Sequence, residues 1–392
     1  MLRFRQLFKM AQETSAKKLK TSPVTIGTHK YVLSLRSNDV GLVTDYFSSG
    51  HFHADEALAV YLLRLLPTYS LSPLVRSRDP ARLEECHTVV DVGGEYDPPR
   101  NRYDHHQRTF QTCFPNHETR LSSAGLVYMH FGRAIIAQHT SLPLDHDDVG
   151  LLYEKLYTDF VEAIDANDNG ISAFDPAAIA TAGIEKRFKD GSITIASVVG
   201  DMNNPDPTCP DEPQDEDSLF GRASTFIGNV FTRKLHHASS SWLPARTTVK
   251  SAYHARREVH PSGRIIVLPK AGIPWKEHLY NFEKEASGGG EIDPENQTYY
   301  VLYAESPAED SKWRVQCVSV SEGSFESRKP LPESWRGVRD ADLDGVIAAE
   351  SEKAGQPKLP EGAIFAHASG FIGGHKTKEG AFAMATRSLE QS

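Results

Sequence analysis

The chain reads as an α/β protein, a mainly parallel sheet flanked by helices with a smaller α/β domain after it. Three observations predict this. Short β-favouring runs alternate with helical stretches between residues 24 and 92, the pattern that builds parallel sheets. At 392 residues and 39% hydrophobic content the chain is long enough for two buried cores. A proline-rich, acidic stretch at 203–217, with almost nothing apolar, separates the halves.

The elements follow in order. Residues 24–27 form a first β-favouring run that ends at His29. Residues 55–66 are rich in Ala and Leu with apolar positions on more than one face, a buried helix that Pro67 stops. Residues 74–76 and 88–92 are short strands separated by a helical stretch over 80–86. In a parallel sheet ligands collect at the carboxyl ends of strands, and Asp91 lies at such an end, before the Gly93-Gly94 turn. Helices are expected over 122–138 and 149–165, the second with Leu152, Leu156, Phe160 and Ile164 at helical spacing. Residues 203–240 read as an acidic linker and a bridging helix, the helix over 219–236. The second half carries strand candidates at 264–268, 298–303, 314–320 and 363–366, and a closing helix over 379–389.

The net charge of -9 argues against a protein that coats nucleic acid by bulk electrostatics, so any such contact should be local. Cys86, Cys113, Cys209 and Cys317 are far apart and form no Cys-x-x-Cys pair, which fits a reducing compartment. No apolar run approaches the ~18 residues that span a bilayer, so no membrane partner is expected. Residues 1–9 hold Arg3, Arg5 and Lys9 among large apolar residues and no acid. That composition fits either an amphipathic mitochondrial presequence or a disordered basic tail, and residues 1–23 are assigned to it.

Chemistry-bearing residues concentrate at His29, His51 to Glu56, Asp91, Asp104-His105-His106 and Asp165 to Asp168. Carboxylates and imidazoles hold Mn²⁺ or Mg²⁺, and a pair of such ions needs roughly six to eight protein ligands. Alone, Asp104-His105-His106 reads as a solvated polar turn. Beside other acidic and histidine sites at the ends of elements, it reads as part of a two-metal hydrolase centre. Asp165 to Gly170 opens like a calcium loop, but Pro176 stands where a bidentate Glu is required, which excludes that reading. Asp168 and Asn169 read as turn caps.

The order His29, His53-x-Asp55, Asp91, Asp104-His105-His106, Asp165 resembles the DHH phosphoesterase superfamily. The longer strings from Phe52 to Ala59, Val90 to Asp97, Arg102 to Arg108 and Phe371 to His375 resemble the melanocyte proliferating gene one family, also labelled metal-dependent protein hydrolase. The resemblance runs from about residue 24 to the C-terminus. It implies a DHH-type catalytic domain over 24–202, a substrate-binding domain over 241–392, and 3′-to-5′ RNA exonuclease activity in mitochondria and nucleus. With ligand chemistry it assigns His29, His53, Asp55, Asp91, His105 and Asp165 to two Mn²⁺ or Mg²⁺ ions. Asp91 is the expected bridge, His106 the group nearest substrate, and Asp104 the residue that orients a histidine.

One departure stands out. About 20 residues, 30–49, separate His29 from the Phe-His-x-Asp-Glu string that the family keeps nearly contiguous with it. One hypothesis is a retained intron, which sequencing the transcript across the junction tests; a genuine insertion would displace His29 and leave His51 as a substitute ligand. In the second half, Gly373, Gly374, His375 and Lys376 precede a helix and are expected to contact a phosphate. Arg246, Lys250, Arg256, Arg257, Arg264 and Lys270 form the densest basic stretch and could track an RNA backbone, though a solvated face explains most of them. The expected partner is RNA or a short oligonucleotide, with no stable protein partner inferred. Two other classes remain: a pyrophosphatase-like or small phosphoanhydride hydrolase, and a non-catalytic metal-binding scaffold.

Overall fold

A computed structural model describes residues 25–28 and 51–391. The expectations for the N-terminal tail, for His29 and for residues 30–49 fall outside the described residues. The chain divides into two compact units between Ala238 and Ser239.

In the first unit, strands β1 (Ile26–Thr28), β2 (Leu74–Arg76), β3 (Thr88–Val90), β4 (Tyr96–Asp97) and β5 (Arg102–Tyr103) form a sheet of order β2-β1-β3-β5-β4. All pairings are parallel except β4 with β5. The helices are α1 (Ala54–Arg64), α2 (Pro80–Glu84), α3 (Ser123–Thr140), α4 (Asp147–Leu156), α5 (Glu162–Asp168), α6 (Pro176–Thr181), α7 (Ile195–Asp201) and α8 (Glu216–His237). Helix α1 buries Ala57, Leu58, Ala59, Val60, Leu62 and Leu63 completely, which explains an apolar pattern on more than one face. Its N-terminus is fixed by Glu56, whose carboxylate accepts from the His53 amide at 3.0 Å and from the Thr28 hydroxyl at 3.1 Å.

Two expectations are refined here. The helix read over 149–165 is interrupted by a π-helical segment, Tyr157–Val161, which separates α4 from α5. The helix expected to bridge the halves is α8, and it packs within the first unit: the Ser224 hydroxyl donates to the Ala57 carbonyl, and Phe220 meets Phe52 edge-on.

The second unit carries α9 (Leu243–His254), α10 (Arg256–Val259), β6 (Ile265–Leu268), α11 (Lys276–Ala286), β7 (Tyr300–Ala304), β8 (Trp313–Cys317), α12 (Asp340–Lys353), β9 (Ala363–Ala366), β10 (Ile372–His375) and α13 (Lys378–Glu390). Its sheet, in order β6-β7-β8-β10-β9, is antiparallel except for β6 with β7. One face buries Trp335, Leu343, Ala381 and Met384, the other Leu279, Phe282 and Val249. No helix among the described residues is long and apolar enough to cross a membrane. All four cysteines are free, Cys86 and Cys317 buried.

Candidate metal centre

The site gathers at the carboxyl ends of the parallel strands. Asp91 follows β3 and holds a left-handed backbone (φ 61°), a conformation uncommon for residues with a side chain but one that aspartate tolerates. Asp104, His105 and His106 follow β5; His53 and Asp55 come from the start of α1, and Asp168 ends α5. Two sets of potential ligand atoms cluster, Asp91 with Asp104, His105 and His106, and His53 with Asp55 and Asp168.

His105 joins the sets. Its Nε2 lies 3.1 Å from Asp168 Oδ2 and 3.6 Å from Asp91 Oδ1, close enough for strong attraction although the ring has no aligned hydrogen-bond partner there. His53 Nδ1 is 3.9 Å from Asp168 Oδ1. Asp104 orients rather than opens toward the centre: Oδ2 accepts from the Gly94 amide at 2.6 Å, and Oδ1 accepts from His106 Nδ1 at 2.6 Å and from its amide at 3.0 Å. This leaves His106 Nε2 uncommitted on a side chain that is 59% exposed.

The electrostatics call for a cation. Burial pushes the Asp55 and Asp91 carboxyls well above the usual range, and the facing carboxylates of Asp168 and Glu56 push further. Glu56 itself is pushed up to about 7, first by burial and despite Arg76. Burial would lower His105, but the Asp168 contact and the Asp55 charge hold it above its ordinary value. Burial would raise Asp168, yet His105 brings it below the usual range. Among the described residues only histidines form ion pairs with Asp91, Asp104 and Asp168. Most telling, both oxygens of Asp55 are buried and no donor reaches either. Such atoms cost free energy unless something positive meets them. A divalent cation fits this donor set of hard oxygens and imidazole nitrogens.

Of the residues singled out from sequence, the structure gathers His53 and Asp55 in one cluster and Asp91, Asp104, His105 and His106 in the other. It does not bring in Asp165. That carboxylate is buried and its oxygens are already filled: Oδ1 accepts from the Ser122 amide, the Ser122 hydroxyl and the Gly125 amide, and Oδ2 from the Tyr157 hydroxyl. A methyl group on Gly125 would stand 2.3 Å from Asp165 Oδ2, so the glycine admits this contact. Asp165 therefore anchors the start of α3, whose Ser123 hydroxyl donates to Asp91 Oδ1 at 3.2 Å. Asp168, read from sequence as a turn cap, occupies the place expected of Asp165. Burial pushes Asp165 itself up to about 7.

The phosphate loop expected in the second unit is absent in that form. Gly373, Gly374 and His375 belong to β10, paired on both sides by β8 and β9. The glycines serve close packing, since an added methyl at Gly373 would meet Leu331 at 2.8 Å and at Gly374 Arg314 at 2.5 Å. His375 is buried, and its Nδ1 accepts from the Thr377 amide at 3.0 Å beside α13. Lys376 is the one exposed member of the four. Within the basic stretch, Arg246 lies over Phe282, Arg256 over Tyr253 and Arg264 over Tyr299, while Lys250, Arg257 and Lys270 are exposed.

With this geometry in view, similarity becomes informative. The sequence matches the MYG1 exonuclease family, described as uncharacterised protein family UPF0160, over residues 47–389. The chain belongs to that family. It is 45% identical over 349 residues to the MYG1 exonuclease of Bos taurus, covering 88% of this chain and 84% of the relative. The human MYG1 exonuclease is also 45% identical over 349 residues, with 88% of this chain and 85% of the relative covered. The MYG1 protein of Saccharomyces cerevisiae is 44% identical over 344 residues, with 87% and 94% covered. A crystal structure of RecJ with Mn²⁺ from Thermus thermophilus aligns over 94% of this chain and 52% of that one, at 13% identity and a TM-score of 0.23, too low to carry an argument. The family match starts at residue 47, so most of the segment 30–49 lies before it.

Proposed function

We propose that the protein is a divalent-metal-dependent phosphodiester hydrolase of the DHH type that degrades RNA from the 3′ end, in mitochondria and nucleus. The observation that carries this reading is the pair of buried, donorless oxygens on Asp55, ringed by Asp91, Asp168 and His105. Similarity to relatives named exonucleases supplies the reaction class, and the resemblance of the Asp104-His105-His106 string to phosphoesterases supplies the phosphodiester. The tail of residues 1–9, with its basic and apolar composition, supports the mitochondrial address.

His53, Asp55 and Asp168 would hold one ion, and Asp91 and His105 the other. Two Mn²⁺ or Mg²⁺ ions supply neutralisation of phosphoryl charge and acidification of an attacking water. The chain's own residues do the rest. Asp104 fixes the His106 ring by accepting from Nδ1, so Nε2 faces outward to contact a phosphoryl oxygen or to hand a proton to the leaving oxygen. Ser123 steadies Asp91, and Asp165 steadies the helix start that carries Ser123. Glu56 ties α1 to β1, keeping Asp55 in register with the sheet.

The test uses purified protein with RNA labelled at the 5′ end, in Mn²⁺, in Mg²⁺ and in EDTA, beside inorganic pyrophosphate. A ladder that shortens from the 3′ end, needs the ion and is lost in Asp91→Asn supports the proposal. Hydrolysis of pyrophosphate without RNA cleavage would replace it with the phosphoanhydride reading. Fusing residues 1–25 to a fluorescent reporter tests the address, and a diffuse cytosolic signal would sink the mitochondrial half.

A further inference from the structure

Between Asp165 and Val199 no residue is buried. This arm begins at the metal centre, where Asn167 and Asp168 line the cleft, and returns to the same cleft through Ala196 and Gly200. Along it Phe174 is 73% exposed and Phe188 71%, values far from those of a packed aromatic. Phe188 sits inside Lys186-Arg187-Phe188-Lys189, an aromatic ring bracketed by three cations. Lys186 pairs with Asp190, an exposed contact that a phosphate can replace. Asp175 and Glu185 add acid nearby, so the cationic character is local to this tract.

We infer that this arm is a platform for single-stranded nucleic acid, with Phe174 and Phe188 stacking on bases and Lys186, Arg187 and Lys189 meeting phosphates. This rests on the RNA-hydrolase reading of the adjoining centre. Three features select a nucleic-acid strand as occupant. Phe188 bracketed by cations, with Phe174 as a second exposed aromatic on the same arm, matches a polyanion with flat, stackable bases. Both ends of the arm line the cleft, so a strand threaded there passes the arm. The net charge of -9 over the whole chain leaves bulk attraction no part in holding RNA, so a local grip has to exist for a polymer to be held. Ile184 and Ile193, exposed at 61% and 76%, would serve a second copy of the chain equally well, which the test separates.

Binding of a 5′-fluorescein 20-nucleotide RNA is measured by anisotropy in EDTA, where no cleavage occurs, for the full-length protein. Phe174→Ala and Phe188→Ala should each weaken binding by about 5- to 150-fold, the range of one lost stacking contact. Phe188→Leu, still apolar but unable to stack flat, should weaken it too, whereas Phe188→Trp should retain it. Cleavage of a dinucleotide, too short to reach the arm, should stay within about twofold in every variant, while thermal melting confirms each is folded. Unchanged 20-nucleotide affinity in the alanine variants, or no affinity in the wild type, overturns the inference. Light scattering that shows a wild-type dimer broken by Phe188→Ala and kept by Phe188→Leu also overturns it, in favour of a second copy. Failure of the function reading looks different: the wild type would bind RNA through the arm yet cleave neither substrate.

Discussion

Asp168 Oδ2 lies 3.1 Å from His105 Nε2, whereas both oxygens of Asp165, three residues earlier, accept hydrogen bonds from Ser122, Gly125 and Tyr157. The two carboxylates should therefore fail differently. Asp168→Asn should weaken Mn²⁺ binding by at least about tenfold with little loss of stability, because removing support for a metal costs that much or more. Asp165→Ala should cost at least about 2 kcal/mol of unfolding free energy, since it strands buried donors; urea denaturation beside metal titration separates them. The opposite pattern would return Asp165 to the centre. Sequence makes Asp104-His105-His106 legible because the three are contiguous, and Asp91 because it closes a strand. It does not distinguish Asp165 from Asp168. That choice depends on helix phase, and the π-helical segment Tyr157–Val161 shifts the phase just upstream.

At the scale of elements, α1 and α8 meet through a glycine. A methyl on Gly228 would stand 2.0 Å from the Tyr61 ring, whose hydroxyl bonds Thr232 at 3.1 Å. Gly228→Ala should cost about 1–3 kcal/mol by overpacking, despite the better helix propensity of alanine. A Tm equal to or above that of the wild type would show that the helices do not approach as described. The parallel sheet and α1 are legible from period and composition. Strand β10 is harder, although β9 before it matches the strand expected over 363–366: Gly373-Gly374-His375 reads alike in a loop and in a strand, and only Leu331, Phe365 and Arg314 crowding the glycines decide between them. The acidic stretch before α8 reads as a boundary, yet Asp215 caps α8 by accepting from the Asp217 and Ser218 amides. The helix it starts is then claimed by α1 through packing that no local pattern encodes.

Across the whole molecule, the buried acids couple stability to pH and to metal. Asp55 and Asp91 are raised well above the usual range, and Glu56 and Asp165 to about 7, burial leading in each case. Unfolded carboxylates titrate near pH 4, so between about pH 4 and 7 the native state binds more protons than the unfolded one. Stability of the metal-free protein should therefore fall as pH rises through that window. His105, raised in the native state, acts in the same direction. Added Mn²⁺ should reverse the trend, raising Tm more at pH 8 than at pH 5; an EDTA-treated protein whose Tm climbs from pH 5 to 8 would contradict this. The central claim, that Asp55 and its neighbours form a cation centre, is tested most directly by Mn²⁺ titration followed by electron paramagnetic resonance. About two ions per chain are expected, with at least one lost in Asp55→Asn and none lost in a folded Asp165→Asn. Mn²⁺ binding that is absent in the wild type, or unchanged in Asp55→Asn, would contradict it.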